Sequence, residues 1–371
     1  MRWVVSLLLI AGCRQILGID PAVVVPDDGS IAPIDADATV DADLSPRKKE
    51  IRVDPSLVAA SLNEFPLWIS ITDPEIAARA RTDGTDIHFR TTAGTPLSFE
   101  RVYWDPQTGH YEAWVAVDLS TALVFDIHYG HTDDPAVAPD STEVFQNYDA
   151  VWHLDDNLAT TTISDASGSH DGTATMLGAA NRVAGKLRGG IQMNSVEQRI
   201  TFTNPIIGSG SHTISAWIKL GAVVDYDPVV ILGQALVNRS RWFHARFTQQ
   251  VIGVGMYGND FVTPFELMEA EWALVHWVYN RDNRMSTVYV NGTTMATYQH
   301  ANGINTTGSA GYLGYAPALW GPNLNTESGM DGVLDEVRIQ TQVRGAAWIA
   351  AEYRTQSDPS QTFELGPETM P

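Results

Sequence analysis

The chain has 371 residues, with 23 Lys and Arg against 44 Asp and Glu, a formal charge of −21, and a single cysteine. A surface of that sign repels phosphate and argues against nucleic acid as a partner. One thiol excludes any internal disulfide, and the length allows two domains beyond the leading segments.

Residues 1–12 hold one charge, Arg2, ahead of the apolar run Val4 to Ile10. A basic start, a short apolar core and a small-residue exit predict a secretory signal. The run is much shorter than the roughly 20 residues of a membrane-spanning helix. Ile10, Ala11 and Gly12 directly before Cys13 resemble the lipobox of bacterial lipoproteins. That resemblance implies cleavage after residue 12 and a diacylglyceryl group on the Cys13 sulfur. It also implies a lipid anchor in the cell envelope. Acyl chains contribute about 0.8 kcal/mol per buried CH₂, so two would hold the protein on a membrane stably. Arg14 rather than Asp follows the cysteine, which by the enterobacterial sorting pattern favours the outer membrane, periplasmic or surface-exposed. The alternative is an ordinary secretory signal with a chance cysteine.

Residues 13–46, beginning at the lipidated Cys13, read as a disordered acidic linker. From Arg14 to Pro46 there are seven Asp and four Pro but no aromatic residue. Such a composition cannot bury enough apolar surface to offset its ordering entropy. About 30 residues of random coil span roughly 30 Å, enough to stand a folded body off a lipid surface.

Residues 47–143 predict a small β-sandwich. "FPLWISI" (65–71), "DIHFRTT" (86–92), "LSFERVYW" (97–104), "YEAWVAV" (111–117) and "LVFDIHYG" (123–130) are short, aromatic-rich and mostly alternating. Asp73 and Pro74 predict the start of one short helix, with Gly84 beyond its end.

Residues 148–367 predict a larger β-domain. "HTISAWIKL", "PVVILGQAL", "RWFHARFT", "WALVHWVYN", "STVYVNGTTMATY" and "GVLDEVRIQ" are strand patterns. Asn291-Gly292 between alternating apolar residues is a strong hairpin signal. "GAAWIAAEYRTQ" predicts a helix, and "QTFELG" a closing strand.

The motifs "VWHLDD", "DASGSHDGTAT", "GKLRGGIQM", "HTISAWIKL", "EWALVHWVYN", "VYVNG" and "GVLDEVRI" resemble, in order, bacterial laminin-G-like jelly rolls of the concanavalin A-like class. "AAEYRTQSDPSQTFELG" resembles their last helix and strand. The piece before it resembles an uncharacterised bacterial domain that precedes such jelly rolls. The whole order resembles secreted lipoproteins of myxobacteria-like organisms. The fold class expected is therefore all-β: a small β-sandwich followed by a concanavalin A-like jelly-roll sandwich.

By position, the resemblance implies a structural Ca²⁺ site with Asp165 and Asp335 as ligands, completed by Ser167 or nearby carbonyls. The chain has Ser169 and His170 where the family carries Asn, and a histidine there would weaken calcium binding. The alternatives are that Asp165 caps a turn and that Asp335 pairs with Arg338 or solvent. No His-x-His or His-x-x-x-His pairing suggests zinc.

Sugars present one apolar face and an edge of hydroxyls, so their sites pair an aromatic with amides and carboxylates. Two loop-like stretches fit: Tyr257, Asn259 and Asp260, and Trp320, Asn323 and Asn325. Trp217, Trp272 and Trp277 lie in alternating runs and read as core. The Glu-x-Asp-x-x-Glu motif of concanavalin A-like glucanases is missing. Glu266, Glu269 and Glu271 cluster in "FELMEAEW" without a central Asp, and no Gly-x-Ser-x-Gly elbow occurs. We therefore expect no catalytic residues and no enzyme, but a membrane-anchored recognition protein whose jelly roll binds a glycan or an envelope or extracellular protein. The alternatives are a structural interaction module without a small ligand, and a divergent carbohydrate-active enzyme.

Overall fold

The computed structural model describes residues 45–57, 62–120, 123–130, 138–222, 226–318 and 326–371. Cys13, the linker up to residue 44, and Trp320, Asn323 and Asn325 lie outside them. As expected, the described chain is nearly all β.

The smaller sandwich packs a three-stranded sheet against a five-stranded one. The first runs Phe65–Thr72, His110–Val117, Phe99–Asp105; the second runs Phe363–Leu365, Arg47–Val53, Val124–Tyr129, His88–Thr91, Pro96–Leu97. Alternation sends Ile51, Phe65, Leu67, Ile69, Phe89, Phe99, Val115 and Ile127 into the space between them, all buried. The short helix forms at Pro74–Arg79. The Asp73 carboxylate caps it by accepting from the N–H groups of Glu75 and Ile76.

The larger sandwich holds two eight-stranded sheets. One runs Phe261–Glu266, Val251–Gly255, Ser240–Arg246, Asp227–Gly233, Ala310–Leu313, Arg199–Thr203, Gly172–Thr175, Thr162–Ile163. The other runs Arg182–Ala184, Gly189–Met193, Gly332–Gln340, His212–Leu220, Trp272–Asn280, Met285–Val290, Thr293–Gln299, with Ala150–Trp152 also pairing to Gly332–Gln340. Ile214, Ile218, Trp277, Val230, Phe243, Val254 and Leu334 fill the layer between. The predicted hairpin forms: Asn291 (φ 49°) and Gly292 (φ 78°) are both left-handed, as a tight two-residue turn requires.

One expectation is corrected. Phe363–Leu365 is a strand, but it does not close the larger sandwich. It pairs antiparallel with Arg47–Val53, in the register Ile51↔Leu365 and Val53↔Phe363. The preceding helix, Ala346–Ser357, explains the crossing. Its Trp348 lies edge-on to Phe65 at 5.0 Å, so Trp348 and Ala351 belong to the smaller sandwich's core. Ala150–Trp152 joins the two cores as well, since Val151 faces the smaller one and Trp152 the larger. Residues 42–371 accordingly form one unit.

Candidate functional site

Asp260, Asn259 and Tyr257 sit at one end of the larger sandwich, in the turn after Val251–Gly255. Neighbouring loops at that end are cross-tied through their backbones. Asn238 N–H donates to Tyr257 O at 3.1 Å, Asn305 N–H to Asn238 O at 2.9 Å, and Thr307 N–H to Arg239 O at 3.0 Å. Gly208 and Thr306 exchange two 2.9 Å bonds. The segments 206–210, 304–308, 234–239 and 256–260 thus form a single hydrogen-bonded rim.

Beneath the rim lies Arg241, fully buried on the strand Ser240–Arg246. Its Nε donates to His212 Nδ1 at 3.0 Å, and its terminal nitrogens donate to Ile206 O (3.0 Å), Gly210 O (2.8 Å) and Thr306 Oγ1. This guanidinium satisfies its donors on neutral acceptors, and burial lowers its pKa to about 9. His212 accepts from Arg241, which requires an unprotonated Nδ1. Burial first, then the neighbouring positive charge, holds its pKa well below the usual value.

Asn259 is committed to the same scaffold. Its amide donates to Asn238 Oδ1 and to Asn302 O, both at 2.9 Å, and its Oδ1 lies 3.3 Å from His300 Nδ1. Asp260 accepts from Trp242 Nε1 at 3.1 Å. These two residues build the rim, whereas the sequence offered them as ligand contacts. What the rim displays instead is aliphatic: Ile207 is 61% exposed, Leu236 57% and Val237 60%. Nothing in the local residue pattern marks them. Arg241 was equally hidden, although a charged residue inside "SRWFHAR", buried along its whole length, is a signal that such a cation organises something.

The two carboxylates proposed for calcium serve the backbone. Asp165 Oδ1 accepts from Val151 N–H, Ser167 N–H and Ser167 Oγ, and Oδ2 accepts from Ser169 N–H, His170 N–H and Ser167 Oγ, all between 2.8 and 3.1 Å. Four N–H groups and the Ser167 hydroxyl fill the carboxylate, so a cation would have to displace one of them. Asp335 Oδ2 accepts from Lys186 N–H (2.6 Å) and Leu187 N–H (3.0 Å), and shares no partner with Asp165. Among the described residues no cluster of three or more His, Cys, Asp or Glu is placed to hold a metal. This donor set does not fit the implied cation.

Asp335 does adjoin a buried chain of charges. Glu100 and Glu336 flank His153 at 3.0 and 2.8 Å. Arg338 links Glu336 (2.8 Å) to Glu352 (3.0 Å), and Glu352 reaches His276 at 3.0 Å. Burial opposes the charge on His153, but Glu336 and Glu100 overcome it and raise its pKa well above the ordinary value. Burial drives Asp335 upward, reinforced by Glu336. The chain runs from the smaller sandwich into the larger and fastens one to the other.

Residues 194–350 match the model of the concanavalin A-like lectin/glucanases superfamily. The match covers most of the larger sandwich, a jelly roll of two packed β-sheets. Every loop of the rim falls inside that jelly roll. Among curated proteins none matches the chain. In fold it is similar to the binding domain of Paraclostridial Mosquitocidal Protein 1, at 15% identity and a TM-score of 0.43, covering 56% of this chain and 52% of that one. It is also similar to domain 4 of AbnA, a GH43 extracellular arabinanase from Geobacillus stearothermophilus, in complex with arabinotriose (17% identity, TM-score 0.44, 55% and 97% covered). A third is the Botulinum Neurotoxin Type G receptor binding domain, at 10% identity and a TM-score of 0.42, with 57% and 51% covered. The chain spans about half the length of the two toxin domains.

Proposed function

We propose that this chain is a recognition protein, lipid-anchored through Cys13 in the cell envelope, whose jelly roll binds an envelope or extracellular protein or glycan through its loop rim. The observation that carries the reading is the exposure of Ile207, Leu236 and Val237 on loops that are held rigid. Aliphatic side chains left in water lose about 25 cal/mol per Å² of apolar surface that a partner could cover. A rim already ordered in the free protein loses little entropy on binding. No helix among the described residues is long and apolar enough to cross a membrane.

The test has two arms. The full chain is crosslinked in its native envelope and applied to a glycan array, beside a variant with Ile207→Ser, Leu236→Ser and Val237→Ser. A ligand lost by the triple variant supports the reading. Equal capture by both proteins, or none in either arm, overturns it. Cys13→Ala should release the protein from the membrane fraction, and unchanged fractionation with no acyl mass would refute the anchor.

A further inference from the structure

Two Asn-Gly steps occur in the chain, Asn291-Gly292 and Asn302-Gly303. They share a chemical hazard. Glycine has no side chain to keep the preceding amide off its nitrogen, so that nitrogen can attack the asparagine Cγ within the chain. The fold treats the two steps differently.

Asn291 is held by the hairpin. Its Oδ1 accepts from Leu274 N–H at 3.0 Å, and its own N–H donates to Leu274 O at 2.9 Å. Gly292 is packed, with Ala350 Cα and Tyr353 Cβ at 3.2 and 3.3 Å from where a Cβ would stand. Turning the Asn291 amide onto the Gly292 nitrogen would break the Leu274 bond and disturb the turn.

Asn302 has none of these restraints. It and Gly303 are exposed, in the loop between the strands Thr293–Gln299 and Ala310–Leu313. Among the described residues, the Asn302 side-chain amide and the Gly303 N–H have no hydrogen-bond partner. A Cβ on Gly303 would meet nothing within 4 Å. The flanks are fixed, by His300 N–H on Arg284 O at 2.9 Å and by the buried Ile304. Only the tip is free to bend.

We propose that Asn302 deamidates spontaneously to isoaspartate and aspartate, whereas Asn291 is preserved. The Gly303 nitrogen gives up its proton and bonds to Asn302 Cγ. The Cγ–N bond of the amide breaks, and ammonia leaves with that proton. Water then opens the cyclic imide. Opening at Cγ gives an ordinary aspartyl chain; opening at the main-chain carbonyl carbon gives isoaspartate, with the chain routed through Cγ. In that product the Asn302 carbonyl, which accepts from Asn259 Nδ2 at 2.9 Å, becomes a carboxylate off the main chain. The tie from this loop to the turn at 256–260 then runs through a side group, and the rim gains a negative charge. Weaker capture by the rim as this product accumulates is a consequence that rests on the rim reading.

The full chain is incubated in mildly alkaline buffer and digested at intervals. Mass spectrometry with electron-transfer fragmentation reads the change from amide to acid at each site and separates isoaspartyl from aspartyl. Asn302 should convert at least tenfold faster than Asn291, a barrier difference of about 1.4 kcal/mol. In urea the two rates should approach each other, because only the fold separates them. Gly303→Ala should slow conversion at least tenfold with circular dichroism unchanged, since its Cβ meets open space. This readout needs no ligand, so it succeeds or fails apart from the rim. Asn302 intact throughout, equal rates in the folded chain, rates as far apart in urea as in buffer, or a Gly303→Ala protein converting as fast as the parent would each overturn the proposal.

Discussion

Arg241 is the side chain on which the rim depends. Replacing it with Met would leave the carbonyls of Ile206 and Gly210 and the Thr306 hydroxyl buried without donors. Each such orphan costs about 1–3 kcal/mol, so we expect a loss of roughly 3 kcal/mol in urea unfolding. Arg241→Lys should recover only part of it, because an ammonium cannot reproduce the fork. Asp165 makes a comparable point at a turn. Asp165→Ala should cost about 2 kcal/mol even in chelator, through the N–H groups it strands. The melting temperature of the parent should be the same in millimolar calcium and in chelator. A calcium-dependent rise abolished by Asp165→Ala would restore the cation.

Elements with local causes were legible in the sequence. The Asp73–Pro74 helix start and the Asn291–Gly292 turn are both written within a few neighbouring residues. At Gly292 the reason is double: φ is +78°, and a Cβ would stand 3.2 Å from Ala350 Cα. Gly292→Ala should therefore lower stability by about 1–2 kcal/mol, readable in the same unfolding assay. The strand Phe363–Leu365 was legible as a strand but not in its pairing, since alternation records a buried face and not which sheet supplies the neighbour. The rim was illegible for a different reason. Main-chain carbonyls hold it together, and carbonyls are the same in every residue. Tyr257, Asn259 and Asp260 marked its location only because polar loop residues gather where loops meet.

Across the molecule, acid should act through buried neutral histidines. Burial holds His300 to about 4 and His244 to about 3, and His212 is depressed too. The unfolded chain takes these protons below its pKa of about 6.5 while the folded one refuses them. Stability is therefore lost as pH falls through that value, by up to about 1.4 kcal/mol per pH unit for each histidine. His153 and Asp335, both raised, contribute stability that is lost as pH rises and so oppose the trend. The melting temperature should fall between pH 7 and pH 5. Both ring nitrogens of His244 are buried without a partner. His244→Leu should make the decline shallower, and an unchanged slope would remove His244 from the account. Deleting residues 363–371 should also expose the smaller sandwich to limited proteolysis before the larger one. That segment gives Arg47–Val53 its outer neighbour, and Glu368 meets Arg47 at 3.2 Å and the Tyr129 hydroxyl at 2.9 Å.

Synthesis order makes that pairing a matter of timing. Arg47 and Glu368 stand 321 residues apart. At roughly 5–20 residues per second, a ribosome emits the second tens of seconds after the first. Until then Arg47–Val53 has one side paired at most, and an open strand edge invites pairing with other chains. A product stalled before Phe363 would carry that open edge permanently. Protection of the Arg47–Val53 edge therefore waits on residues made long after it.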